Sequence, residues 1–167
     1  RRCAPGPLHA FEPQRRVFQV LCANLVLNGI DNVAAHPEAC GATDGWATIP
    51  PVDYGADGNF GGISLAGEAG PGERVRVVTV DGLGLEACHL IKIDVEGLEL
   101  RVLEGARRTI ARHRPRIYLE NDRLEHQAAL IRLLDDMGYR LHWHLPTLEP
   151  EDAASGLFPV PVHSLNM

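Results

Sequence analysis

The sequence predicts an α/β domain layered around a largely parallel sheet. Three observations predict it. Short apolar runs of strand character alternate with longer runs of helical period. Proline or glycine stands at the helix boundaries. Carboxylates also recur at the C-terminal ends of the predicted strands, the edge where such sheets bind ligands. The chain has 167 residues, which suits a single domain spanning all of it with one hydrophobic core.

The elements follow in order. "GPLHAFEP" reads as a strand, Leu8 to Phe11, ending in Glu12. Pro13 fits the first turn of a helix, where its missing N–H costs nothing. In "PQRRVFQVLCANLVLNG" Val17, Leu21 and Leu25 recur four apart, with Phe18 and Val20 widening the apolar face, and Gly29 stops the helix. "IDNVAAHPEAC" supplies a brief strand, Val33 to His36. From Gly41 to Gly72 the periodicity fails; the segment holds nine glycines and the pair Pro50–Pro51. It reads as an irregular insert or lid, with "WATIP" and "NFGGISL" as strands inside it. "ERVRVVTV" alternates as a strand near a sheet edge.

"HLIKIDVEGLEL" reads as a strand buried on both faces, yet Lys92, Asp94 and Glu96 alternate with Ile91, Ile93 and Val95. Three charges along one side of an apolar strand are costly unless something binds there. One helix is expected to follow, with Leu98, Val102, Ala106 and Ile110 as its stripe. Arg107, Arg108, Arg112 and His113 gather toward its C-terminus, where the dipole favours cations, and Pro115 stops it. "RIYLEND" is a strand ending in Glu120, Asn121 and Asp122. "LEHQAALIRLLDDMG" is an amphipathic helix, and "YRLHWHL" a last alternating strand.

Composition excludes several classes. The net charge is −6 and the pI near 5.7, which argues against a nucleic-acid partner. No run reaches the roughly 18 apolar residues of a membrane span. The four cysteines, Cys3, Cys22, Cys40 and Cys88, show no metal-ligand spacing; they read as reduced thiols of a cytoplasmic protein. Oligomeric state has no readable signal.

"LIKIDVEGLELRVLEGA", with "AFEPQRRVFQVLCANLVLNG" upstream and "PRIYLEN" downstream, resembles the FkbM-type family of S-adenosylmethionine-dependent methyltransferases. The closing "SLNM" resembles the asparagine-bearing end of that domain. The resemblance implies a Rossmann-like class I sheet of seven strands and methyl transfer from S-adenosylmethionine to a hydroxyl of a small acceptor, such as a polyketide or a sugar. The family's first strand and glycine-rich loop should precede "LHAFEP", where "CAPGP" is not that loop. The chain is therefore expected to be a truncated domain lacking its central strand. The alternative is a degenerate, non-catalytic Rossmann-like scaffold that has lost the cofactor loop. A nicotinamide-dependent oxidoreductase ranks last, because it leaves "IDVEG" unexplained.

Each candidate residue has a functional and a structural reading. Glu12 can accept hydrogen bonds from both ribose hydroxyls of the cofactor, or serve as an acid at a helix N-terminus. Asp94 faces the transferring methyl or the acceptor, and Glu96 positions the acceptor hydroxyl or takes its proton; otherwise both cap the next helix, with Glu99 as solvated surface. Glu120 joins Asp94 and Glu96 as a catalytic candidate. Asp94, Glu120 and Asn121 are candidate ligands of a magnesium ion that would lower the acceptor's pKa; Asn121 otherwise meets the acceptor directly. Asn59, Phe60 and Ser64 line a lid over cofactor and acceptor, or belong to a surface hairpin. Lys92 is expected to pair with a strand-end acid, or with Glu68 or Glu73 from the insert, or to snorkel. His142 and His144 read as an edge-strand surface pair; His36 ends its strand where the adenine edge would lie, or is simply a loop histidine.

Overall fold

The computed structural model describes residues 6–55, 65, 71–121, 123–144 and 167. Strand β1 (Leu8–Phe11) leads into helix α1 (Arg15–Leu27), then β2 (Val33–His36), β3 (Glu38–Cys40), β4 (Gly45–Ile49) and β5 (Glu73–Val78). A 3-10 turn (Val80–Leu83) precedes β6 (Leu90–Ile93), α2 (Glu99–Glu104), α3 (Arg107–His113), β7 (Arg116–Leu119) and α4 (Leu124–Asp136). The α/β alternation expected from the sequence is present.

Among the described residues the strands form three small sheets rather than one: β1–β2, β3–β5–β4 and β6–β7. β1 pairs with β2 in parallel, Leu8 opposite Val33 and Phe11 opposite His36. β6 and β7 are likewise parallel, with Ile93 opposite Leu119. In the middle sheet β5 runs parallel to β3 and antiparallel to β4. "ERVRVVTV" is thus the centre of a sheet and not its edge, because β3, three residues long and without a legible pattern, covers its second side.

The main core lies around β6–β7 and α2, α3 and α4, with Ile93, Leu103, Ile110, Leu119, Leu130 and Leu134 nearly inaccessible. A smaller cluster of Ala47, Ile49 and Val75 seals β4 on β5. β6 itself is buried on one face only: Ile93 is 2% exposed and Leu90 62%. Helix α1 contains no buried residue; Val17, Leu21 and Leu25 are half-buried, and Val20, Val26 and Leu27 are exposed.

The single helix expected from Leu98 to Ile110 is two helices. Asp81 divides it. Its backbone N–H donates to the Gly105 carbonyl at 2.9 Å. Its carboxylate accepts from the backbone N–H of Arg108 at 3.0 Å and of Thr109 at 2.7 Å, and from the Thr109 hydroxyl at 2.8 Å. Groups that would have bonded along one helix turn outward to Asp81 instead. Arg107 and Arg108 consequently stand in the first turn of α3, the end where the dipole disfavours cations. Gly105 is required at the junction, since a Cβ there would lie 2.0 Å from the Gly41 carbonyl oxygen.

"YRLHWHL" does not form a strand; only His144 makes an isolated bridge. Its neighbour across the rim is Tyr118, whose hydroxyl is 2.8 Å from His144 Nδ1. The sheet beyond β7 is continued by Met167, which exchanges two backbone hydrogen bonds with Leu119, at 2.8 and 2.9 Å. Among the described residues no helix is long and apolar enough to cross a membrane, and Cys22, Cys40 and Cys88 are free thiols.

A candidate carboxylate site at the strand ends

Parallel pairing fixes the site. β6 and β7 end together, so Asp94 and Glu120 emerge side by side, with the Glu120 N–H donating to the Ile93 carbonyl at 3.1 Å. Glu96 joins them through an unusual backbone. It adopts φ +54° and Gly97 φ +97°, two left-handed residues in succession that reverse the chain after the strand. Such a conformation costs a non-glycine residue about 1–3 kcal/mol and collects at functional sites. One carboxylate oxygen each of Asp94, Glu96 and Glu120 lies within 4.8 Å of the others.

Three like charges this close repel, and cations beside them offset the repulsion. Lys92 pairs with Asp94 at 2.7 Å, both side chains more than half exposed, so solvent screens that contact. Arg123, from the turn before α4, donates to Glu96 Oε2 at 2.9 Å. Lys92 therefore takes the strand-end acid, while Glu73 pairs with Arg15 at 3.3 Å.

Neither Asp94 nor Glu96 caps the following helix among these contacts. The cap position is Leu98, which makes no side-chain cap bond; Glu99, in the first turn, is 5% exposed, not solvated surface, and accepts the Gly97 N–H at 3.1 Å. Asn121 is 3% exposed, with its amide nitrogen 3.9 Å from the Met167 sulfur. Glu12 follows β1, in a different sheet from the one whose strands end in Asp94 and Glu120. Its Oε1 accepts the Gln14 N–H at 2.7 Å, as an acid at a helix N-terminus does. Burial pushes the Glu12 carboxyl above its usual range, and the Gln14 N–H partly opposes this. Gln14 is itself buried and accepts the Tyr54 hydroxyl at 3.1 Å. Asn59, Phe60 and Ser64 lie outside the described residues.

Arg123 is the site residue that pattern reading missed. A signal existed: a cation just ahead of a helix is placed against the dipole, so it serves something other than that helix. Gln14 and Tyr54 carried no comparable signal, being 40 residues apart.

Residues 1–141 match the family described as the methyltransferase FkbM domain. No curated protein is a match. Among solved structures, the chain is similar to a methyltransferase FkbM from Methylobacillus flagellatus KT, with a TM-score of 0.58 and 18% sequence identity. The likeness covers 96% of this chain and 36% of that one.

Proposed function

Because the chain belongs to the FkbM methyltransferase family, we propose that it carries the acceptor side of an S-adenosylmethionine-dependent O-methyltransferase. Its acceptor is a hydroxylated small molecule, a natural product or a sugar, in a cytoplasmic setting. The observation that carries this reading is the convergence of Asp94, Glu96 and Glu120 within 4.8 Å at the ends of two parallel strands.

The cofactor supplies an electrophilic methyl group. The chain's own residues hold and deprotonate the nucleophile. An alcohol attacks well only as its proton leaves, so a carboxylate within hydrogen-bond reach of the hydroxyl is the needed group. Glu96 is tied to Arg123 and oriented by it. Asp94 is more exposed, and its partner Lys92 is itself solvent-exposed, so screening weakens their contact; Asp94 takes the hydroxyl proton. Glu120 holds the hydroxyl in line. Glu12 keeps Oε2 for ribose hydroxyls while Oε1 stays on Gln14.

An all-oxygen donor set also suits Mg2+, with Glu96 replacing Asn121 beside Asp94 and Glu120. The ion would lower the acceptor's pKa, once Lys92 and Arg123 gave way to it.

Among the described residues β1 and β6 each pair on one side only. A parallel strand carrying a glycine-rich turn and joining these two edges would complete a class I sheet and the cofactor cleft. Calorimetry with S-adenosylhomocysteine, on this chain and on a version extended upstream, tests this. Heat of binding from the extended protein supports the reading, and its absence from both proteins overturns it.

A further inference from the structure

Away from the three acids, β1 and β2 bring two imidazoles together. His9 Nδ1 and His36 Nε2 are 3.0 Å apart. The ring centres are separated by 5.2 Å and the rings are 22° from parallel, so the two nitrogens meet edge to edge. The register explains the meeting. Phe11 stands opposite His36, and His9 lies two residues before Phe11, so all three side chains share one face of the pair. Phe11 stacks on His36 with centres 4.5 Å apart and planes within 12°, which fixes that ring. His9 is exposed, so solvent and not packing surrounds the rest of its ring.

The other edge of His36 is also provided for. Its Nδ1 lies 3.9 Å from Glu38 Oε2, and the other carboxylate oxygen of Glu38 lies 3.7 Å from Arg76 Nε. The Glu38 carboxylate stands beside the far nitrogen at ion-pair distance, longer than a hydrogen bond; a small closing movement would give the carboxylate–histidine pair that orients histidine ligands in metal sites. The facing nitrogens accommodate one shared proton, whereas two would set N–H against N–H. A cation can replace that proton. Metal–imidazole bonds of about 2.1 Å separate two neighbouring ligand nitrogens by about 3.0–3.4 Å, which the observed spacing meets after a turn of His9.

We infer that His9 and His36 form a binding site for a divalent transition-metal ion of the nickel, copper or zinc class, with Glu38 orienting His36 and water completing the coordination. The site is independent of the carboxylate site and of the methyltransferase reading. It differs from the oxygen-only acids in its ligand chemistry, since imidazole selects these ions over magnesium.

Titration calorimetry with Ni2+ on the whole chain tests the inference. One ion is expected to bind. His9→Ala and His36→Gln should each weaken it at least about tenfold, and Glu38→Gln by about tenfold, the usual effect of losing a group that orients a ligand. His144→Ala, which alters the other histidine pair, should leave it unchanged. Circular dichroism confirms folding of each variant; His9 is exposed, so His9→Ala decides the matter should His36→Gln not fold. Absence of Ni2+ binding by the unaltered chain, or unchanged affinity in His9→Ala, overturns the site.

Discussion

Asp81 shows how much one side chain decides. It accepts from two backbone N–H groups and a hydroxyl at the start of α3, so Asp81→Ala should lower stability by about 1–2 kcal/mol, the upper range for a helix cap. Urea denaturation measures it. Burial pushes the Asp81 carboxyl up, but the hydrogen bonds from Arg108 and Thr109 outweigh this and hold it below the usual range. A depressed folded-state pKa stabilises the fold above the unfolded value of about 3.9 and loses that contribution as pH falls through the folded value. The gap between the native protein and Asp81→Ala should therefore narrow in acid. Gly105 argues at the same scale. Alanine is the better helix former, by about 1 kcal/mol, yet its Cβ would strike the Gly41 carbonyl. Gly105→Ala should lower the Tm, and a raised Tm would show that the junction can open. At the proposed site, Asp94→Asn in the upstream-extended enzyme should cut kcat by about 100-fold or more, the scale of a lost general base, with affinity for S-adenosylhomocysteine retained. Full turnover in that variant would remove Asp94 from the role of base.

Elements are held by what meets their ends and faces. Arg114, left-handed at φ +49°, closes the C-terminus of α4 by donating to the Met137 and Gly138 carbonyls. Its guanidinium also lies 4.5 Å over the Tyr139 ring. Burial raises the Tyr139 hydroxyl's pKa, while the Arg114 charge opposes the rise. Arg114→Met should therefore raise that pKa further, which an ultraviolet titration reads, and should fray α4. Helix α2 is anchored by Leu103, fully inaccessible in the main core; Leu103→Ala should cost about 2–5 kcal/mol. The amphipathic pattern located α1 and α4 within a residue or two. The same pattern ran through the α2–α3 junction, because periodicity records which residues face the core and is blind to a side chain from elsewhere that takes over backbone hydrogen bonds.

For the whole molecule, the deciding feature is that its sheets, among the described residues, are separate and partly open. β6 bonds to β7 through one edge. The register places the Ile91 and Ile93 amides toward β7 and those of Leu90 and Lys92 toward the open side. Hydrogen exchange should follow this, slow at Ile93 and fast at Leu90 and Lys92. Occupation of that edge by a further strand would slow the latter pair, so the extended protein should show protection there. Open strand edges also favour association between copies. The chain alone should therefore self-associate more than the extended protein in sedimentation.

The amino-acid order alone settled the alternation of strands and helices, the family, and the presence of Glu12, Asp94 and Glu120 at strand ends. These are local properties: hydrophobic period, turn residues and motif. Folding in three dimensions decided the rest. It set Glu96 beside Asp94 and Glu120 through a left-handed turn, brought in Arg123 as its partner, left Glu12 on another sheet, and joined His9 to His36 across 27 residues. Those outcomes depend on strand register and on contacts between distant segments, which no short window of sequence encodes.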